Sequence, residues 1–135
     1  KVDSHHFTPT INKDFNYLKK RDFKTFKSKS SLFAMTAHVI FKKIDPDNTV
    51  THSKKMIGII RNKIKFKNLI ISDDLSMKSL KFSIIENTKK AFNAGCNLAL
   101  HCNGNLKEMT FVAENSPKVS SFVLKKTSEF YKNIS

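Results

Sequence analysis

Apolar residues along this chain fall into two alternating patterns. The runs Leu32-Phe33-Ala34-Met35-Thr36-Ala37-His38-Val39, Leu69-Ile70-Ile71-Ser72 and Asn97-Leu98-Ala99-Leu100-His101-Cys102 are short and almost continuously apolar. Such runs fit strands buried on both faces, and each gives way to polar residues at its C-terminal end. Between them the apolar positions recur every three or four residues, the period of a helix with one buried face. Met56, Ile59, Ile60 and Ile64 lie on one such face, in a helix that Ser53 would cap and that runs through Lys65. Ile84, Ile85, Thr88, Ala91 and Phe92 share another, from Phe82 to Ala94, with Gly95 as its stop. Upstream, Phe15, Leu18, Phe23 and Phe26 fit one or two short amphipathic helices. Downstream, two helices are predicted, about Leu106 to Glu114 and Lys118 to Asn133, with Pro117 opening the second.

The three strands therefore end near His38, Asp73 and Cys102, spaced by 35 and then 29 residues. A (β/α)8 barrel of about 250 residues spends roughly 31 on each strand-helix unit, so the period is that of a barrel. Three units cannot close one. The chain reads either as a small open α/β sheet or as the last part of a larger barrel. In both cases the strands are expected to be parallel, adjacent in that order, and to end on one rim.

Composition narrows the class. A chain of 135 residues, 39% hydrophobic, is one domain with enough apolar side chains for a core. Its apolar runs are too short to span a bilayer, and no signal-peptide pattern opens it, which predicts a cytoplasmic protein with no membrane association. Cys96 and Cys102 fall on one predicted strand, on the same face but too far apart to bridge, so they are expected to be reduced core thiols and not a metal site.

The formal charge of +14 would suit a nucleic-acid binder, yet Arg21 and Arg61 are the only arginines and the lysines are scattered along every segment. Nucleic-acid readers concentrate their charge and favour the bidentate guanidinium. A small basic nucleic-acid-binding module therefore stays a secondary reading, and no nucleic-acid partner is expected.

Candidate chemistry gathers at Leu69 to Met77, where an apolar strand runs into the paired carboxylates Asp73 and Asp74. A strand end holds a carboxylate rigidly beside an open loop, which suits catalysis; either residue could equally cap the turn that follows. Near the start, Asp3 and His5 stand two residues apart in a polar loop, a spacing at which a carboxylate can fix an imidazole tautomer.

Asp3-Ser4-His5, Met35-Thr36-Ala37-His38-Val39, Ser72-Asp73-Asp74-Leu75-Ser76-Met77 and Ala94-Gly95-Cys96-Asn97, in this order and spacing, resemble the bacterial β-N-acetylhexosaminidases of glycoside hydrolase family three. The resemblance spans nearly the whole chain, and Asn97 stands where the family often has Asp. It implies that residues 1–135 are the C-terminal part of a (β/α)8 TIM-barrel catalytic domain, with about three parallel strands and their helices and with the earlier strands upstream of Lys1. It implies a retaining β-N-acetylglucosaminidase that removes N-acetylglucosamine from 1,6-anhydromuramoyl peptides in cell-wall recycling, monomeric when complete and needing no cofactor or metal. Under it Asp73 is the nucleophile, His5 the proton donor and acceptor, and Asp3 its orienting partner. His38 becomes a strand-end substrate or network residue, and Met77 joins it at the substrate. Asp74 is expected to be structural, bonded to the loop backbone, and His6, His52 and His101 to have no catalytic role. A phosphorylase of the same fold is the alternative, because a histidine in place of a carboxylate would not repel phosphate.

Overall fold

The computed structural model describes residues 7–27 and 31–134, without the side chains of residues 133 and 134. Its centre is a three-stranded parallel sheet in the order β2 (Phe33–Met35), β4 (Leu69–Asp74), β5 (Leu98–Leu100). The expected order and direction are therefore observed, with β4 in the middle. The remaining strands, β1 (Thr10–Ile11) and β3 (Ile40–Phe41), form a separate parallel pair that the hydrophobic pattern missed. Two-residue strands carry no readable alternation.

The helices are α1 (Phe15–Lys20), α2 (Lys54–Asn62), α3 (Ile84–Ala94), α4 (Leu106–Glu114) and α5 (Ser121–Ile134), with 3-10 turns at Phe23–Phe26 and Val50–His52. Ser53 caps α2 by accepting the Met56 N–H at 3.1 Å. The helix stops at Asn62, short of the expected Lys65, which takes a left-handed φ of 64°. Past that point Arg61 donates to the carbonyls of Phe66 (3.0 Å) and Asn68 (2.6 Å), and so leads the chain into β4. α3 opens with a reciprocal Ser83–Glu86 capping box and ends, as expected, at Gly95 with φ 116°. A Cβ added there would lie 2.9 Å from Ile57 Cγ2, so glycine also lets α2 and α3 pack. α5 starts three residues later than predicted, because the Ser120 hydroxyl accepts the Val123 N–H and sets the boundary.

Two apolar clusters meet along α2. One, including Ile57, Ile70, Leu75 and Ala91, fills the space between the sheet, α2 and α3; the other joins Met56 and Ile64 to Leu18, Phe23 and Val50. The outer strand β2 keeps Phe33 and Met35 40% and 58% exposed, the apolar sheet edge expected from three strands that do not close. No helix among the described residues is long and apolar enough to cross a membrane.

Candidate active site

Two of the predicted strands are shorter than their apolar runs, and the residues released from the ladder build the site. β2 ends at Met35, so Thr36 to Val39 leave the sheet; β5 ends at Leu100, so Cys96 and Cys102 flank it instead of sharing one face. Cys96 is buried and Cys102 exposed, which corrects the expectation of two core thiols. In β4 the register against β5 slips: Ile71 faces Leu98 but Asp74 faces Leu100, so one extra residue of β4 is accommodated at Ser72-Asp73. A bulge of this kind turns side chains out of the pleat, as often happens beside functional sites.

Side chains restore the hydrogen bonds the backbone gives up there. On one side the Leu100 N–H donates to Ser72 Oγ at 2.9 Å. On the other the Asp73 N–H donates to Thr36 Oγ1 at 3.2 Å. Thr36 Oγ1 is 2.9 Å from Thr51 Oγ1, which is 2.9 Å from His38 Nδ1, and His38 Nε2 is 2.8 Å from the Asp74 carbonyl oxygen. A carbonyl can only accept, so His38 carries its proton on Nε2 and accepts at Nδ1. Thr51 then donates to His38, Thr36 donates to Thr51, and Asp73 N–H donates to Thr36. Every donor and acceptor in this ring is used once, and the ring starts and ends on the backbone of Asp73 and Asp74. His38 is 1% exposed and both its nitrogens are engaged in this network, one of the two roles open to it.

The adjacent carboxylates are separated by their partners. Asp74 Oδ1 accepts the Ser76 N–H at 3.0 Å, the Ser76 hydroxyl at 2.8 Å and the Cys102 N–H at 3.1 Å, while Ser76 Oγ also reaches Oδ2 at 2.8 Å. Asp74 thus ties the β4 loop to the end of β5, the structural role expected of it. Asp73 has one donor among the described residues, the Asp74 N–H at 2.9 Å on Oδ1. That leaves Oδ2 for a ligand at a half-buried position on the rim. The Cys102 thiol is held above its usual pKa by desolvation and then by the Asp74 and Asp73 carboxylates, which places it beside both. Met77 lies in the turn after Asp74, half-buried, its N–H donating to the Asp74 carbonyl at 3.2 Å. Asp3 and His5 lie outside the described residues.

Two further histidines, His52 and His101, lie among the described residues. His101 Nε2 is 2.9 Å from Glu108, whose carboxyl is held below its usual pKa by His101 and then by Asn103. His52 is 8% exposed, and burial pushes its pKa down to about 4, so it is neutral. No group of three or more His, Cys, Asp and Glu among the described residues could hold a metal ion. The Thr36, Thr51 and Ser72 hydroxyls escaped sequence reasoning. Each partner lies 13 to 37 residues away, and a lone hydroxyl in an apolar run carries no periodic signal.

The family model described as the glycosyl hydrolase family 3 N terminal domain matches residues 1–125. A beta-hexosaminidase of Actinobacillus pleuropneumoniae serotype 5b is 37% identical over 108 residues, covering 76% of this chain and 31% of the relative. The crystal structure of CbsA from Thermotoga neapolitana superposes with a TM-score of 0.79 at 28% identity, covering 99% of this chain and 34% of that one. The beta-N-acetylglucosaminidase from Thermotoga maritima superposes with a TM-score of 0.69 at 28% identity, over 93% of this chain and 30% of that one. The chain thus spans about a third of the length of the relatives it matches.

Proposed function

Because the chain belongs to glycosyl hydrolase family 3, its parallel strands and helices being part of that family's TIM-barrel-like N-terminal domain, we propose that it carries the catalytic residues of a retaining β-N-acetylglucosaminidase. The observation that supports this best is the contrast between the two carboxylates. Asp74 is consumed by loop hydrogen bonds, whereas Asp73 sits on the bulge at the end of the central strand with an oxygen left over. Asp73 is the nucleophile. Its backbone N–H is fixed by Thr36 and its carboxylate is aimed by the Asp74 N–H, so little reorganisation precedes attack on the anomeric carbon.

His5 protonates the leaving oxygen as the glycosyl–Asp73 bond forms, then takes the proton of the water that breaks that bond. Net configuration is retained. An imidazole titrates near neutral pH and can perform both transfers, and Asp3 holds its tautomer. The substrate is an N-acetylglucosamine-bearing muropeptide, met in the cytoplasm during cell-wall recycling. The names of the relatives support the N-acetylglucosamine part of that substrate, and the motifs around Asp3, His5 and Asp73 support the rest. Residues 1–135 are one part of the catalytic domain, and Met77 borders the sugar beside Asp73.

The test is made in the complete enzyme. Asp73→Ala should lower turnover by at least about a thousandfold with substrate binding largely kept. A slow 2-fluoro sugar should label Asp73, and peptide sequencing would show it. A label on Asp74, or an inverted product, overturns the assignment.

A further inference from the structure

The hydrogen-bonded ring that contains Thr51 grips the backbone on both sides of one peptide unit. The Asp73 N–H, 3.2 Å from Thr36 Oγ1, belongs to the peptide joining Ser72 to Asp73. The Asp74 carbonyl, 2.8 Å from His38 Nε2, belongs to the peptide joining Asp74 to Leu75. Between these two lies the Asp73–Asp74 peptide, whose N–H reaches Asp73 Oδ1 at 2.9 Å. A peptide is planar and turns only about the bonds at its ends, so holding both neighbours fixes the plane of the middle one. Its N–H then fixes the direction of the carboxylate. Resting on the reading of Asp73 as the nucleophile, we propose that Thr51 is a positioning residue of the glycosidase reaction, setting the pose of the Asp73 carboxylate through Thr36 on one side and His38 on the other.

Thr51 is the member on which both arms depend. Its single hydroxyl accepts from Thr36 and donates to His38 Nδ1, each at 2.9 Å, so losing it takes an acceptor from one arm and a donor from the other. The donation to Nδ1 also selects the tautomer with its proton on Nε2, where the Asp74 carbonyl requires it. Thr36 and His38 both belong to the segment that leaves the sheet after β2, whereas Thr51 stands on the 3-10 turn Val50–His52 and braces that segment from outside. The turn is itself secured. The Val50 N–H donates to the Val39 carbonyl at 2.9 Å, and the Cys96 thiol lies 3.8 Å from the Thr51 carbonyl. The β4 loop has further ties, from the Leu75 N–H to the Leu100 carbonyl at 2.9 Å and from the Met77 N–H to the Asp74 carbonyl at 3.2 Å. Both act on the Leu75 side of the Asp73–Asp74 peptide, and at Asp73 the slipped register puts a hydroxyl in place of the ladder. Loosening Thr51 therefore leaves the loop attached while it frees the plane that aims the carboxylate. Attack on the anomeric carbon depends on that aim far more than sugar binding does. Thr51, 0% exposed, can act on the reaction only through its neighbours.

The experiment uses the complete enzyme, assayed well below the melting temperature of each variant. Thr51→Val should lower kcat by about thirty- to a hundredfold and leave KM within about twofold of the parent, a split that a loss of folded protein does not produce. The rate at which a slow 2-fluoro sugar labels Asp73 should fall by a similar factor, because labelling is the attack step. Thr51→Ser, which keeps the hydroxyl, should return kcat to within about threefold of the parent. Thr51→Cys is the milder variant if Thr51→Val does not fold: its thiol bonds weakly in both directions, and kcat should fall about tenfold. Parental kcat in the folded variants, KM rising as far as kcat falls, or Thr51→Ser as slow as Thr51→Val would overturn the positioning role. The label in the parent enzyme separates the two readings. On Asp73 with kcat indifferent to Thr51, it removes the positioning role alone; on another residue, it removes the nucleophile assignment and this inference with it.

Discussion

Thr51 and His52 are neighbours in the chain, yet they serve two regions of opposite character. Thr51 is fully buried and links Thr36 to His38, in a ring where each donor meets one acceptor and which closes on the backbone of Asp73 and Asp74. His52, on the same 3-10 turn, faces a cleft where its Nε2, Thr49 Oγ1 and Ser79 Oγ find no partner among the described residues. Both regions use threonine and histidine. The difference lies in what is left over. A satisfied ring holds the nucleophile's backbone still, whereas orphaned hydroxyls hold nothing until something binds.

Removing the hydroxyl of Thr51 should break that comparison most severely. Thr51→Val keeps the shape but deprives Thr36 of its acceptor and His38 of its donor, both in the interior, and should cost about 3 kcal/mol in a urea denaturation series. A cost under about 1 kcal/mol would show that the ring is not a closed network.

The cleft should declare itself through pH. Burial holds the His52 pKa at about 4, against 6.5 for an ordinary histidine. Between those values the unfolded chain binds a proton that the folded chain refuses, so stability falls as pH drops from about 6.5 toward about 4. The loss is on the order of 2 to 3 kcal/mol, followed by thermal melts across that range. His52→Gln should flatten that slope, and an unchanged slope would place its origin elsewhere.

A smaller effect separates the two carboxylates. Asp74→Ala strands the N–H groups of Ser76 and Cys102 and should cost about 2 kcal/mol, whereas Asp73→Ala, which gives up one local bond, should cost less than about 1 kcal/mol. Equal losses in the same denaturation assay would remove the structural distinction between them. Smallest of all, Thr49→Val should fall within about 0.5 kcal/mol of the parent, since its hydroxyl has no partner among the described residues. Set against Thr51→Val two residues away, it isolates the partner as the cause.

The chain's own pattern was enough to place β4 as a buried strand ending at the Asp pair, to set the parallel order of the three strands, to cap α2 at Ser53 and to stop α3 at Gly95. These depend on local periods, on caps within three residues and on a glycine that must adopt positive φ, so they are written in consecutive residues. Tertiary structure alone decided how the two carboxylates are parted, Asp74 being taken up by Ser76 and Cys102 while Asp73 keeps an oxygen free of donors among the described residues. It did so through the slip at Ser72-Asp73 and through hydroxyls brought in from Thr36 and Thr51, and it also decided that His38 turns inward and that Thr49, His52 and Ser79 converge. A hydroxyl 37 residues from its donor leaves no period or spacing in the sequence; packing creates the pair, because a buried N–H must find an acceptor wherever the chain brings one.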